Sequence, residues 1–343
     1  MSGWKKYFAI SLATIIPGLI FVGIGGIKPN VEFRGGLEAE YFIPAGSSLT
    51  APQIEENLKK AGFEHPIVKF SSVAEKRVVG ITVDPPKDFN ISDPKSKEQI
   101  GTAVGISDPP ASFQFVGPTI QKETVENAIK GIVFSSALIV LYLAVRFGVA
   151  LGGVKNGLKF GLSAIGALIH DVAVVIGIAA IVGYFANWQV SSLFVTAMLT
   201  VIGFSVHDTI VIFDRIRENL RRPMAGETFE HLCDRSVTQS FGRSLNTSIT
   251  VIATLVILIV MGTPTIDLKL FCITMLAGIV SGTYSSIFNA APILWLWDKA
   301  TERRLGPSKT LMAEAVAEAA RIRATQVAIS AGGAAGAPAA PQS

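Results

Sequence analysis

The stretch VSSLFVTAMLTVIGFSVHDTIVIFDRIREN, Val190 to Asn219, decides the class of this chain. From 190 to 213 it is apolar except for small hydroxylated residues and the pair His207 and Asp208. It then breaks into a dense charge cluster, Asp214, Arg215, Arg217 and Glu218. About twenty apolar residues cross the roughly 30 Å of bilayer hydrocarbon as a helix, so the run predicts a membrane span that ends in a charged interfacial anchor. A carboxylate inside such a span costs several kcal/mol to insert and calls for a partner, a water path or a function.

Similar runs lie near 7–27, 127–146, 160–183, 244–263 and 268–297, giving about six spans. Composition agrees: 50% hydrophobic and only 16% charged residues, with mean hydropathy +0.48, exclude an ordinary soluble domain. The net charge of +4 is too small to suggest nucleic-acid binding. Lys5 and Lys6 precede an apolar run from Tyr7 to Ile27 that is longer than a signal-peptide core and lacks a small-x-small cleavage site, so an uncleaved first span is expected. The segments near 184–189 and 264–267 contain no Lys or Arg. Basic residues outside the 28–126 segment gather instead at the N-terminus, in 146–159 and 214–243, and after Trp297, which predicts that both ends are cytoplasmic. Trp188, Trp295 and Trp297 fall at predicted span ends, as interfacial aromatics. Cys233, in a predicted loop, and Cys272, in a predicted span, have neither disulfide nor metal spacing.

The expected division is a cytoplasmic start and first span over 1–27, an outer (periplasmic) domain over 28–126, the other five spans over 127–299, and a cytoplasmic tail over 300–343. Within the outer domain LEAEYFIP reads as a strand, and TAPQIEENLKKAGF as a helix between Thr50 as N-cap and Gly62 as C-cap. PIVKFSS and RVVGITV read as strands, a helix starts near Ser92, and ASFQFVGP closes as a strand. The order βαββαβ predicts a small α+β ferredoxin-like domain. In the tail, TLMAEAVAEAARIRATQVAI reads as an amphipathic helix, and the Ala, Gly and Pro of the last residues predict disorder.

Ionisable groups in the spans are few: His170 and Asp171, His207 and Asp208, and Arg243 at the start of the fifth span. On that span Arg243, Asn246, Thr247, Thr250 and Thr254 share one side at 100° per residue, a polar stripe that faces protein or water rather than lipid. Gly278, Gly282, Ser285 and Asn289 form a small-residue packing face on the sixth span, and Ser163, Gly166, His170 and Gly177 one on the third. Asp208 lies several ångströms below the interface. With Arg243 in reach it is either half of a static ion pair or a carboxylate that exchanges protons when helices shift. Sequence neighbours diverge by about 100° around a helix, so neither His-Asp pair is expected to act as a dyad. For His170 a structural hydrogen bond to a neighbouring helix is the simpler reading; for Asp171 structural and functional readings stay open. No Walker sequence, nucleophile elbow or zinc-spaced cluster is present, so neither a metal site nor an enzyme is expected. The paired glycines of FRGG, 33–36, fit a tight turn.

Val190 to Asn219 resembles the fourth span and following loop of the SecF branch of the SecD/SecF family. RSLNTSIT from Arg243, GIVSGTYSSIFNAAPILW from Gly278, ALIHDV from Ala167 and FVGPTI from Phe115 follow the same family's pattern in order, so the resemblance covers roughly Lys5 to Lys299. It implies an α-helical membrane protein: a six-span half of an RND-type bundle that pairs with the similar half in SecD. It also implies a location in the bacterial cytoplasmic (inner) membrane. The activity implied is promotion, by proton-motive force, of late export of unfolded polypeptide that the SecY/SecE/SecG channel and the SecA motor have started, with protons as coupling ion and no cofactor. Carried over residue by residue, the proton-coupling positions are Asp208 and Arg243; His207, His170, Asp171, Asn246, Thr247 and Thr250 are accessory polar residues beside them. A second essential carboxylate would belong to SecD. Two departures stand out. The family's Asp-Phe-x-Gly-Gly turn reads Glu32, Phe33, Arg34, Gly35, Gly36 here, and His207 replaces the usual Asn before the proton-site Asp. The competing readings are an RND-like exporter of small molecules or lipids, and a non-transporting scaffold of the translocon.

Overall fold

The computed structural model describes residues 1, 3–43, 49–73, 76–86, 94–150, 154–261 and 265–334. In chain order these form α1 (Trp4–Gly23), α2 (Val31–Arg34), β1 (Gly36–Ile43), α3 (Ala51–Lys60), β2 (Glu64–Val73), β3 (Lys76–Asp84), α4 (Pro94–Val104) and β4 (Ser112–Val116). Then come α5 (Pro118–Ala150), α6 (Val154–Ala186), α7 (Ser192–Arg221), α8 (Phe229–Met261), α9 (Ile266–Ser285), a π-helical turn Ser286–Ala290, α10 (Ala291–Leu305) and α11 (Leu311–Ala334). Among the described residues six segments are long and apolar enough to cross a membrane: α1, α5, α6, α7, α8, and the composite of α9, the π turn and α10. The chain is a multi-pass membrane protein.

Several helices outrun the expected spans. α5 begins at Pro118 rather than near 127, and the loop expected over 214–243 shrinks to 222–228 because α7 and α8 continue past the apolar run. Hydropathy registers only the part of a helix that meets hydrocarbon; beyond it α7 still buries Ile216 and Leu220, and α8 still buries Leu232, Ser236 and Ser240. Cys233, expected in a loop, is a buried residue of α8.

The soluble domain has the expected βαββαβ order, with antiparallel strands arranged β2-β3-β1-β4. Alternation along β1 sends Leu37, Ala39, Tyr41 and Ile43 to one face, where they meet Ile54 and Leu58 of α3 and Ile100 and Val104 of α4. At the start of α3 the Gln53 amide oxygen accepts from the Thr50 backbone N–H and hydroxyl, and Gly62, at φ +89°, lets the chain leave the helix. The residues that would cap α4 lie outside the described ones.

Close glycine contacts assemble the bundle. A Cβ on Gly18 of α1 would lie 2.5 Å from the Cα of Gly177 on α6, and one on Gly157 would lie 2.3 Å from the carbonyl oxygen of Ala144 on α5. Small residues therefore let these backbones touch. At the tail side, buried Asp298 accepts from Lys159 Nζ at 3.1 Å and from the Leu311 backbone at 2.9 Å, so one carboxylate ties α10 to α6 and to the start of α11. The expected tail helix is present and extends to Ala334; the disorder expected beyond it falls outside the described residues.

The second face of the sheet is turned toward the bundle. Thr82 donates to Gln189 at 3.1 Å, and Pro29 pairs with Val190 in a parallel bridge reinforced by Asn30 N–H to Val190 O at 2.9 Å and Val190 N–H to Lys28 O at 2.7 Å. These bonds strap the domain to the loop between α6 and α7.

Candidate intramembrane polar site

A buried polar layer crosses the bundle where α6, α7, α8, α9 and the π turn meet. At its centre is Asp171, fully buried on α6. Its Oδ1 accepts from the Ser281 hydroxyl at 2.7 Å and lies 3.0 Å from His170 Nδ1; its Oδ2 accepts from Ser285 at 2.6 Å and from Ser205. Four donors surround one carboxylate, which is how a buried charge is made tolerable. The His170–Asp171 contact corrects the expectation that sequence neighbours cannot pair: the Cα–Cβ vectors diverge by about 100°, but the imidazole is long enough to swing back over the shorter carboxylate. His170 bonds to its own neighbour rather than to another helix.

Asp208, one turn beyond Ser205 on α7, has a different environment. It is 1% exposed, and its Oδ2 has no hydrogen-bond partner among the described residues. Ser248 and Thr283, which pair with each other, also bond to the Asp208 carboxylate, and Thr209 pairs with Ser286 at 2.9 Å. A buried carboxylate oxygen without a donor is costly to keep and is a ready acceptor for any water or cation that reaches it. No ion pair joins Asp208 to Arg243. Arg243 sits five residues before Ser248 on α8, hence about 140° around the helix and about 7.5 Å along it, and is exposed.

Two polar stripes therefore share α8. Ser236, Ser240, Ser244 and Ser248 recur every four residues, are buried, and form the inward face that the sequence reading missed; the i, i+4 spacing was its available signal. Arg243, Asn246, Thr247, Thr250 and Thr254, the stripe expected to face protein or water, point out of this chain. His207 is exposed as well, so it does not join the buried layer.

The small-residue face expected on the last span is real contact surface. A Cβ on Gly278 would meet Val201 at 2.3 Å and one on Gly282 would meet Ser205 at 3.0 Å. Ser285 reaches Asp171, and Asn289 exchanges hydrogen bonds with Ser11 of α1. Ser285 ends α9 and Asn289 lies in the π turn, where one extra residue per turn re-aims side chains toward the layer.

The glycine turn positions the domain. Gly35 and Gly36 have φ of +80° and +110°, and a Cβ on Gly36 would lie 2.7 Å from the Val83 carbonyl oxygen. Glu32, in the turn's first position, accepts from the Ser192 backbone N–H at 2.6 Å, placing a carboxylate at the positive end of α7; the Phe33 carbonyl accepts from Gln121 at 3.1 Å.

Beneath the sheet, Glu38 and Glu40 of β1, Lys69 of β2 and Asp267 of α9 line a cavity of about 230 Å³ between domain and bundle. Sequence reasoning did not single them out, although LEAEYFI places both glutamates on the strand face opposite the core. Glu38 is pushed up to about 7 from 4.5, first by burial and further by Asp267 and Glu40; Lys69, 3.7 Å away, and Asn30 oppose the shift. Because the folded value exceeds the unfolded one, stability linked to Glu38 is complete below about pH 4.5 and is lost as pH rises to about 7. Glu38→Gln is expected to remove that dependence and to gain on the order of 2–3 kcal/mol at pH 8. Thermal unfolding of the solubilised protein at pH 5 and pH 8 checks this; parallel midpoints for wild type and variant would refute it.

Fold and site together define a six-span membrane bundle with buried carboxylates in its centre and a ferredoxin-like domain docked on one end. The family described as protein export membrane protein SecD/SecF, C-terminal, matches residues 97–300. The protein translocase subunit SecF of Thermobaculum terrenum is 40% identical over 303 residues, covering 86% of this chain and 92% of that protein. That of Anaerolinea thermophila is 37% identical with the same coverage. The crystal structure of SecDF from Thermus thermophilus, a translocon-associated membrane protein, matches with TM-score 0.70 at 24% identity, over 87% of this chain and 39% of the larger one. The chain belongs to the SecD/SecF family of protein-export membrane proteins, and its similarity to SecF subunits runs nearly their full length.

Proposed function

We propose that this chain works as the SecF half of a SecD–SecF pair and, with SecD, uses the proton-motive force to promote late export of unfolded polypeptide across the bacterial cytoplasmic membrane. The observation that carries the reading is Asp208: a carboxylate in a membrane span, buried, with one oxygen left without a donor. Asp208 is the group that takes up and releases the proton, and Arg243 is the cation that stabilises its ionised form once the helices shift. Relatives named protein translocase subunit SecF support the export role, and the single-chain SecDF of Bacillus subtilis, 31% identical over 85% of this chain, supports pairing with a SecD half. The basic residues at the tail side of the bundle support cytoplasmic termini, with the ferredoxin-like domain outside. SecY, SecE, SecG and SecA enter only indirectly, as the machinery that delivers the polypeptide.

The threonine hydroxyls of the outer stripe donate to carbonyls of their own helix, but the Arg243 guanidinium and the Asn246 amide on the outside of a membrane helix require a protein or water-lined neighbour. The SecD half is that neighbour. Cysteines at Asn246 and Thr250 are therefore expected to cross-link to SecD in the membrane-embedded complex, while a cysteine at Phe134, on the outer surface of α5, is not. Failure of every stripe position to cross-link would remove the pairing geometry from the account.

A further inference from the structure

His170 has a buried atom with nothing to bond. Its Nδ1 lies 3.0 Å from Asp171 Oδ1, the ring is 8% exposed, and Nε2 has no hydrogen-bond partner among the described residues. Asp171 already has donors on both oxygens, including the hydroxyls of Ser205, Ser281 and Ser285. An ionised Asp171 draws the imidazole N–H to Nδ1 and leaves the lone pair on Nε2. The titratable group stacked near the ring is Tyr284 of α9, 6.0 Å away centroid to centroid, whose hydroxyl donates to the Tyr7 carbonyl of α1.

We propose that His170 and Asp171 form a second proton-binding unit inside the bundle, distinct from Asp208, in which His170 Nε2 takes up the proton and the Asp171 carboxylate answers its charge. The balance is simple. One proton, delivered by water, binds the Nε2 lone pair; the Nδ1–H bond is kept; the neutral ring becomes an imidazolium against a carboxylate. The three serines hold the carboxylate in place in both states, and because they come from α7 and α9, loading the ring alters the charge at the junction of three helices. The proton-binding claim stands by itself, whereas its use in coupling rests on the export reading.

The test uses the full chain, with its four histidines, 65, 170, 207 and 231, labelled with nitrogen-15. The signal lost in His170→Asn is expected to show a bare Nε2 at alkaline pH and double protonation on acidification. In Asp171→Asn the same signal is expected to require about tenfold more acid, or more, because the countercharge is gone. A His170 signal that stays neutral throughout, or titrates identically in Asp171→Asn, overturns the proposal. If Asp171→Asn does not fold, His170→Asn decides: its amide still donates to Asp171 but lacks Nε2. Export by vesicles containing that variant and SecD is then expected to lose the wild-type pH profile. An unchanged profile overturns the coupling role while leaving Asp208 untouched.

Discussion

Asp208→Asn is expected to reduce export in vesicles under a proton gradient to the rate seen without one, while the complex with SecD is recovered in full. Asparagine matches aspartate in shape, and no salt bridge is broken, because none joins Asp208 to another described residue. The change removes a buried ionisable group whose Oδ2 lacks a donor, so the cost in stability stays within about 1 kcal/mol. Loss of function with retained assembly is the signature of coupling. A scaffold role predicts the reverse, a loosened complex with whatever export survives still responding to the gradient.

The largest structural effect is expected from Gly177→Val. A Cβ there would sit 2.7 Å from the Cα of Gly18, and both atoms belong to helix backbones that cannot step aside singly. α1 must separate from α6, which breaks the Ser11–Asn289 bonds and the Tyr284 bond to the Tyr7 carbonyl. Overpacking of this kind costs about 1–3 kcal/mol, and more where backbone must move. Gly203→Val is the control, since a Cβ at Gly203 meets nothing within 4 Å. Thermal unfolding in detergent should show a marked drop for the first and almost none for the second; equal midpoints would contradict the close packing of α1 on α6.

Much of this was legible in the residues, and what was not has physical causes. The six spans and the βαββαβ order follow from apolar runs and alternation, which are local signals. Helix ends were missed where α7 and α8 pass beyond hydrocarbon, because burial against neighbouring helices replaces burial in lipid there. The Arg243 stripe was visible as a helical face, but which face points inward depends on tertiary packing, and the serine ladder from Ser236 to Ser248 won that position. The His170–Asp171 pair was excluded on backbone angle alone, which ignores side-chain reach. Glu38 shares a cavity with Asp267 only through docking of the domain, which brings together residues more than two hundred positions apart.

The most direct measurement of the central claim is proton flux into vesicles that contain this chain and SecD, with and without a translocating polypeptide, for wild type and Asp208→Asn. The account predicts flux in the wild type that rises when polypeptide is moving, and none above background in the variant. Equal flux in both proteins would contradict Asp208 as the group that carries the proton.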